Sequence, residues 1–300
     1  MEFTPAYQKL TEKGGFEERI EKAYSLFSEC KLCPRECNVN RRMKKGFCQA
    51  GDELIVSSYA PHFGEERVLV GRRGSGTIFF GYCNLRCVFC QNYELSFDGR
   101  GRAVSSSDLA NMMLFLQNSY GCENINLVTP THFLPHILEA IFIAAQKGLK
   151  VPIVYNCGGY ESKESLEILD GVIDIYMPDF KFTFSESAKK YLKAPDYPQV
   201  VKQALIEMDR QVGGLKTNIR GLAKRGLLTR HLVMPGGEDE SKNILSFIKE
   251  NLSSDCLVNV MGQYYPTNQA YLFPEINHRL SNQEYLAVRR YAEKSGLRLC

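Results

Sequence analysis

From residue 77 onward, short apolar runs alternate with amphipathic stretches, and this alternation constrains the fold more than any other feature of the chain. The runs are TIFFGY (77–82), NINLVT (124–129), VPIVYN (151–156), VIDIYMP (172–178), TRHLVMP (229–235) and CLVNVMG (256–262). They are β-branched and nearly continuous in apolarity, which suits strands buried on both faces of a parallel sheet. Helical patterns lie between them. SSSDLANMMLFLQNSYG opens with a Ser105–Asp108 cap, puts Leu109, Met112, Met113 and Leu116 on one face, and stops at Gly121. LPHILEAIFIAAQKG, SKESLEILDG, YPQVVKQALIEMDRQVGG and DESKNILSFIKENL follow, and a last helix starts at Ser281 with Glu284 completing its capping box. Six βα units predict an α/β fold with helices outside a parallel sheet, either doubly wound or an incomplete barrel. In both, function sits at the C-terminal ends of the strands.

Those ends carry polar and Gly-rich residues: Cys83, then Thr129-Pro130-Thr131-His132, Asn156-Cys157-Gly158-Gly159, Met177-Pro178-Asp179-Phe180-Lys181, Met234-Pro235-Gly236-Gly237 and Met261-Gly262-Gln263-Tyr264. The chemistry is expected on this rim.

At 300 residues and 44% hydrophobic, the chain is long enough for one large domain, or one domain with a small appendage. A net charge of +3 without a basic block does not point to nucleic acid. No apolar run approaches the roughly 18 residues of a membrane span, and MEFTPAYQKLTEKGG lacks the apolar core of a signal peptide. The expected location is cytoplasmic. Eleven cysteines are many for a reducing compartment, where clustered thiols point to metal or redox chemistry. Seven fall in two clusters; Cys122, Cys157, Cys256 and Cys300 are scattered and read as small buried hydrophobes or a tail thiol.

The second cluster is GYCNLRCVFCQN, in which Cys83, Cys87 and Cys90 are spaced C-x3-C-x2-C directly after the first strand. A [4Fe–4S] cube usually takes four thiolates. Three leave one iron open, and an open position generally marks a catalytic metal. Spacing alone also permits a zinc site completed by a distant residue, or a cube with a remote fourth Cys.

This loop, with Phe89 before its last Cys, resembles the signature of the radical S-adenosylmethionine superfamily, and the following βα repeats resemble its partial (β/α)6 TIM-like barrel. Within that superfamily the chain is similar, over nearly its whole length, to the pyruvate formate-lyase activating enzyme group, and to its PflX-like branch in particular. The resemblance implies that the missing ligand is S-adenosylmethionine, chelating the open iron through its amino and carboxylate groups. It implies reductive cleavage to methionine and a 5′-deoxyadenosyl radical that abstracts hydrogen from a substrate. A reductant such as flavodoxin or ferredoxin and a glycyl radical enzyme as protein substrate are the implied partners. Modification of a small molecule, peptide or RNA, and a non-catalytic iron–sulfur carrier, are the alternatives.

The resemblance also assigns rim residues to the cofactor. Met177, Asp179 and Lys181 match the Met-x-Asp-x-Lys pattern of the activases; a rim salt bridge is the structural alternative. Thr129, Thr131 and His132 stand where the activases carry Gly-Gly-Glu for the methionine ammonium, a departure that leaves hydroxyls and a neutral imidazole as acceptors. Asn156 stands where they carry Thr-Asn-Gly. Arg230 is expected to point into the barrel and His231, next in the strand, to the other side. Asn259 and Gln263 offer amides to the adenine or carboxylate, and Phe89 and Asn92 flank the loop on the cofactor side.

The first cluster, CKLCPRECNVNRRMKKGFC, spaces Cys30, Cys33, Cys37 and Cys48 as C-x2-C-x3-C-x10-C. Four thiolates make a closed tetrahedral site for zinc, or hold a second iron–sulfur cluster. The segment has too few apolar residues to fold alone, so a metal staple is expected. The expected organisation is an N-terminal helix and Cys-rich segment over 1–72 and the core barrel with its C-terminal helix over 73–300.

Overall fold

The computed structural model describes residues 3–300. Its strands are β1 (Leu54–His62), β2 (Ser75–Phe80), β3 (Arg102–Val104), β4 (Ile125–Val128), β5 (Ile153–Cys157), β6 (Ile175–Pro178), β7 (Lys216–Thr217), β8 (Ala223–Leu232), β9 (Leu257–Met261) and β10 (Arg298–Leu299). They form one sheet in the order β10-β9-β8-β6-β5-β4-β2-β1-β3, with β7 pairing to β8. From β2 to β10 along this order every neighbouring pair is parallel. This is the partial α/β barrel that the alternation of elements requires: the order is open, with β10 at one edge and β3 at the other.

Period-two alternation sorts the strand residues between two cores. Val154, Ile175, Met177, Leu228 and Leu257 face the barrel interior, and Leu69 reaches them from the turn α3 (Arg67–Val70). That turn is held beneath the strands by Asn124, whose Nδ2 donates to Leu69 O at 2.8 Å. Ile125, Leu127, Ile153, Tyr155 and Tyr176 face outward into a larger core shared with the helices. The helix over Ser106–Asn118 carries the expected capping box between Ser105 and Asp108.

The N-terminal helices α1 (Ala6–Glu12) and α2 (Phe16–Ser28) belong to the outer layer. Phe16 stacks on Phe142 with ring centroids 5.1 Å apart. Tyr7 Oη donates to Val151 O at 2.9 Å, and Ala6 N donates to Asp174 Oδ1 at 2.8 Å. β1 pairs antiparallel with β2, from Val56 opposite Phe80 to His62 opposite Ser75. The sheet therefore crosses the division expected at 72/73. Periodicity alone missed β1 because it lies in the Cys-rich stretch, and it missed the first six residues of β8 because Ala-Lys-Arg-Gly is polar; pairing with β7 and β6 makes that stretch a strand. No helix among the described residues is long and apolar enough to cross a membrane.

Candidate active site at the C-terminal rim

Past the end of β2 the chain turns through Tyr82 and Arg86, both left-handed at φ +69° and +56°, a conformation that non-Gly residues take uncommonly. The loop that results sets Cys83, Cys87 and Cys90 on the wall of a cleft of about 380 Å³. It is fastened from two sides: Val88 N donates to Tyr191 O at 3.0 Å, and Asn84 Nδ2 to Tyr160 O at 2.8 Å. Phe89 packs edge-on against Phe182 and Tyr264, with centroids 5.9 and 6.1 Å away. Two sulfurs already accept hydrogen bonds, Cys83 Sγ from Leu85 N at 3.4 Å and Cys90 Sγ from Ser96 Oγ at 3.1 Å. Donors of this kind favour the thiolate.

Burial pushes the Cys83 thiol up to about 11 and the Cys87 thiol higher, so both are protonated at neutral pH until a metal displaces the proton. Among the described residues no three Cys, His, Asp or Glu side chains stand in ligand geometry for a single ion. A cube spreads its thiolates over different iron corners. Three thiols along one wall, with sulfur-directed donors, fit such a group.

The opposite side of the cleft carries charge. Asp179 Oδ1 accepts from Arg230 Nε at 2.7 Å, and its Oδ2 from Lys181 Nζ at 2.6 Å. Arg230 Nη2 donates to Asn156 Oδ1 at 2.7 Å, and Glu65 Oε2 stands 3.6 Å from Arg230 Nη1. Burial pushes the Asp179 carboxyl up, but Arg230 and Lys181 more than offset it and hold it below the usual range. Burial disfavours the charged Lys181 as well, yet Asp179 raises it above its ordinary value. Asp179, Lys181 and Arg230 therefore stay ionised at neutral pH, whereas burial pushes the Glu65 carboxyl up. Thr129, β-branched and left-handed at φ +62°, closes the wall beside Asn156. Local strain of this kind costs on the order of 1–3 kcal/mol and is held by the surrounding structure.

One cleft thus brings together Cys83, Cys87, Cys90, Phe89, Asn92, Thr129, Asn156, Asp179, Lys181, Arg230 and Gln263. Four other residues expected at the cofactor do not line it. His132 is buried behind the strands, where Nε2 donates to Gly81 O at 2.8 Å. Burial holds its imidazole down to about 3, so it is a neutral structural donor. Thr131 is buried beside it and donates to Glu161 Oε1 at 2.8 Å. The single 3-10 turn after Thr129 rotates both away from the rim. Met177 lies in the barrel interior with no exposure, on the same face as Asp179 but two residues deeper in the barrel. Asn259 lies deeper in the barrel and donates to Glu66 Oε1 at 2.8 Å. His231 faces the helices, bonded to Phe180 O and Ser241 Oγ at 2.8 Å each, as alternation with Arg230 requires.

Sequence reading missed His62, the last residue of β1, and Glu65, in the loop that follows it, which both line the cleft. Gly-Glu-Glu-Arg carries no motif, and only the insertion of α3 under the barrel delivers it. Cys30, Cys33, Cys37 and Cys48 lie outside the cleft, and Cys37 Sγ and Cys48 Sγ both face Gly46. Cys122, Cys157 and Cys256 are buried and Cys300 is exposed.

A half-barrel of parallel strands with three thiols at its C-terminal rim defines the class by fold and site: an α/β protein with a thiol-lined cleft. The sequence model of the Radical SAM superfamily matches residues 77–248, and the chain belongs to that superfamily. It is 33% identical over 290 residues to an uncharacterized protein of Methanocaldococcus jannaschii, covering 94% of this chain and 79% of the relative. Streptococcus suis SuiB bound to the precursor peptide SuiA shares the fold at 12% identity and a TM-score of 0.50, over 74% of this chain and 47% of SuiB. Methylornithine synthase aligns with a TM-score of 0.48 at 16% identity, over 74% of this chain and 62% of the other. The chain thus spans about half to three fifths of the length of these solved structures. Members of the superfamily are enzymes that use a [4Fe–4S] cluster and S-adenosylmethionine, and they need a reductant.

Proposed function

We propose that Cys83, Cys87 and Cys90 hold the [4Fe–4S] cluster and that the facing wall receives S-adenosylmethionine. Held there, the cluster would pass one electron from an external reductant to the sulfonium, whose C5′–S bond would break to give methionine and a 5′-deoxyadenosyl radical able to abstract hydrogen. The supporting observation is that the three thiols and the Asp179–Lys181–Arg230–Asn156 network line one cleft. Lys181 and Arg230 offer cationic donors for the methionine carboxylate. Glu65 faces the ammonium role that the departure at Thr131 and His132 leaves open: the Asp179 oxygens are engaged by Arg230 and Lys181, whereas Glu65 has a single long contact. Thr129, Asn92 and Gln263 offer hydroxyl and amide groups at the cleft wall for the nucleoside. Phe89 and its aromatic neighbours keep water from the cluster side.

The cleft volume of about 380 Å³ sits at the lower end of small-ligand sites. With the cofactor inside, the substrate has room to present only a small group at the mouth. Activation of a glycyl radical enzyme, with reduced flavodoxin or ferredoxin as electron donor, is the substrate reading carried by the resemblance of the sequence.

The test is anaerobic reconstitution with iron and sulfide, reduction in the presence of S-adenosylmethionine, and assay of 5′-deoxyadenosine and methionine. The C83A/C87A/C90A variant is expected to give neither product. Absence of cleavage by the native chain with an intact cluster would overturn the reading. A glycine-centred radical on a candidate partner, seen by paramagnetic resonance, tests the substrate class separately.

A further inference from the structure

We propose that Cys30, Cys33, Cys37 and Cys48 bind one zinc-type divalent ion as a structural tetrathiolate, and that this centre fixes the radical-site loop through Arg35. Residues 29–53 contain neither helix nor strand, yet Cys30, Leu32, Cys33, Arg41, Cys48 and Ala50 among them are buried. Such a long irregular stretch inside a compact fold needs something to hold it.

The thiols are prepared as acceptors. Cys30 Sγ accepts from Arg41 Nη1 at 3.6 Å. Cys37 Sγ accepts from Phe47 N at 3.2 Å. The left-handed Glu36, Asn38 and Gln49 make tight turns in this stretch, at φ +39°, +52° and +68°. Gly46 packs against two of the sulfurs: a Cβ there would lie 3.5 Å from Cys37 Sγ and 3.6 Å from Cys48 Sγ. Amide donors behind a sulfur orient it and stabilise its negative charge when it ligates a metal.

A second, independent observation is Arg41. Its side chain is 1% exposed, and its hydrogen-bond partners among the described residues are Cys30 Sγ at 3.6 Å, Gly51 O at 2.9 Å and His132 O at 3.3 Å. Its buried Nε has no partner there, and no carboxylate is among its contacts. This buried guanidinium has the Phe27 ring at 4.8 Å and neutral acceptors around it, and negative charge beside it would stabilise it further; a divalent tetrathiolate centre carries about −2. Among the described residues no three such side chains stand in ligand geometry for one ion, so the proposal requires that binding draw the four sulfurs together. All four donors are thiols and the set lies away from the cleft, which marks a structural ion rather than a reactive one.

The turn between Cys33 and Cys37 carries Arg35 to the radical-site loop. Arg35 Nε donates to Asn84 O at 3.0 Å, between Cys83 and Cys87, and Nη2 to Leu192 O at 2.9 Å. Its Nη1 reaches Lys193 O, and its guanidinium lies 3.9 Å over the Phe47 ring.

The experiment uses the full-length C83A/C87A/C90A chain, which removes the rim thiols and leaves the four N-terminal ones. Elemental analysis is expected to find about one zinc per chain, and C33S/C48S on the same background is expected to lose it. Cobalt titration of the metal-stripped triple variant, which needs no further substitution, is expected to give tetrahedral tetrathiolate bands and to mask the four thiols from a thiol reagent. Freely titrating thiols without bound metal would overturn the proposal. Iron with acid-labile sulfide in place of zinc would overturn it equally, as a second cluster.

Discussion

Arg230 Nε stands 2.7 Å from Asp179 Oδ1, joining the residue that follows β6 to the C-terminal part of β8. The same guanidinium reaches Asn156 on β5 and Glu65 below the sheet. One side chain therefore ties three strands and the inserted loop at the depth where the cleft opens. Replacing it by Lys keeps the charge and loses the planar fork. R230K is expected to weaken S-adenosylmethionine binding about tenfold, the equivalent of one charge-assisted hydrogen bond. R230A is expected to cost about 1–3 kcal/mol of stability as well, because Asp179 keeps only Lys181. Calorimetric binding and denaturant unfolding measure the two effects.

His132 separates structure from cofactor contact. H132F removes the donor to buried Gly81 O and is expected to lower stability by about 1–3 kcal/mol. Affinity for S-adenosylmethionine, measured on the folded variant, is expected to stay within a factor of about two, since a surface away from the ligand adds little. A large loss of affinity with unchanged stability would return His132 to the cofactor.

Arg35 holds the backbone of Asn84 from outside the cleft. R35A is expected to leave the three rim thiols in place and to speed loss of iron from the reconstituted protein. Iron retained during anaerobic incubation with a chelator, followed by absorption, reads this directly.

Two buried carboxyls predict a pH dependence. Burial pushes Glu161 and Asp174 each up to about 7. The unfolded chain releases these protons near pH 4. Between about pH 4 and 7 the folded state binds more protons than the unfolded one, so stability falls as pH rises through that window. Unfolding free energy measured at pH 5 and at pH 8 is expected to be higher at pH 5 from these groups, and E161Q is expected to flatten its share.

Gly159 follows the Asn156 strand end with φ +75°, and a Cβ there would meet Asp179 O at 2.7 Å and Val201 Cγ2 at 2.7 Å. G159A is expected to destabilise by at least about 1–2 kcal/mol from the left-handed backbone alone. The contact with Asp179 is expected to disturb the Arg230 network too, so cofactor affinity falls with stability.

Much of this was legible from local pattern. Each of the six apolar runs contains part of a parallel strand, with β8 starting six residues ahead of its run, the capping boxes at Ser105 and Ser281 formed, and Arg230 and His231 took opposite faces because a strand alternates. The Thr129–His132 stretch resisted such reading. Its residues are consecutive, and one 3-10 turn leaves Thr129 on the cleft while burying Thr131 and His132 behind it. Met177 and Asp179 share a motif yet occupy different depths of the barrel, a distinction set by the closing of the sheet.

The sequence by itself determined the parallel α/β class, the three-thiol loop at a strand end and the second thiol set, because periodicity, caps and ligand spacing act over a few residues. Only the tertiary structure decided that Glu65 enters the cleft, that Arg35 grips the loop between Cys83 and Cys87, and that Arg41 is buried beside Cys30. These depend on burial and on contacts between segments far apart in the chain. Their energies come from desolvation and pairing of charge, which exist only once the sheet has curved and the N-terminal segment has packed against it.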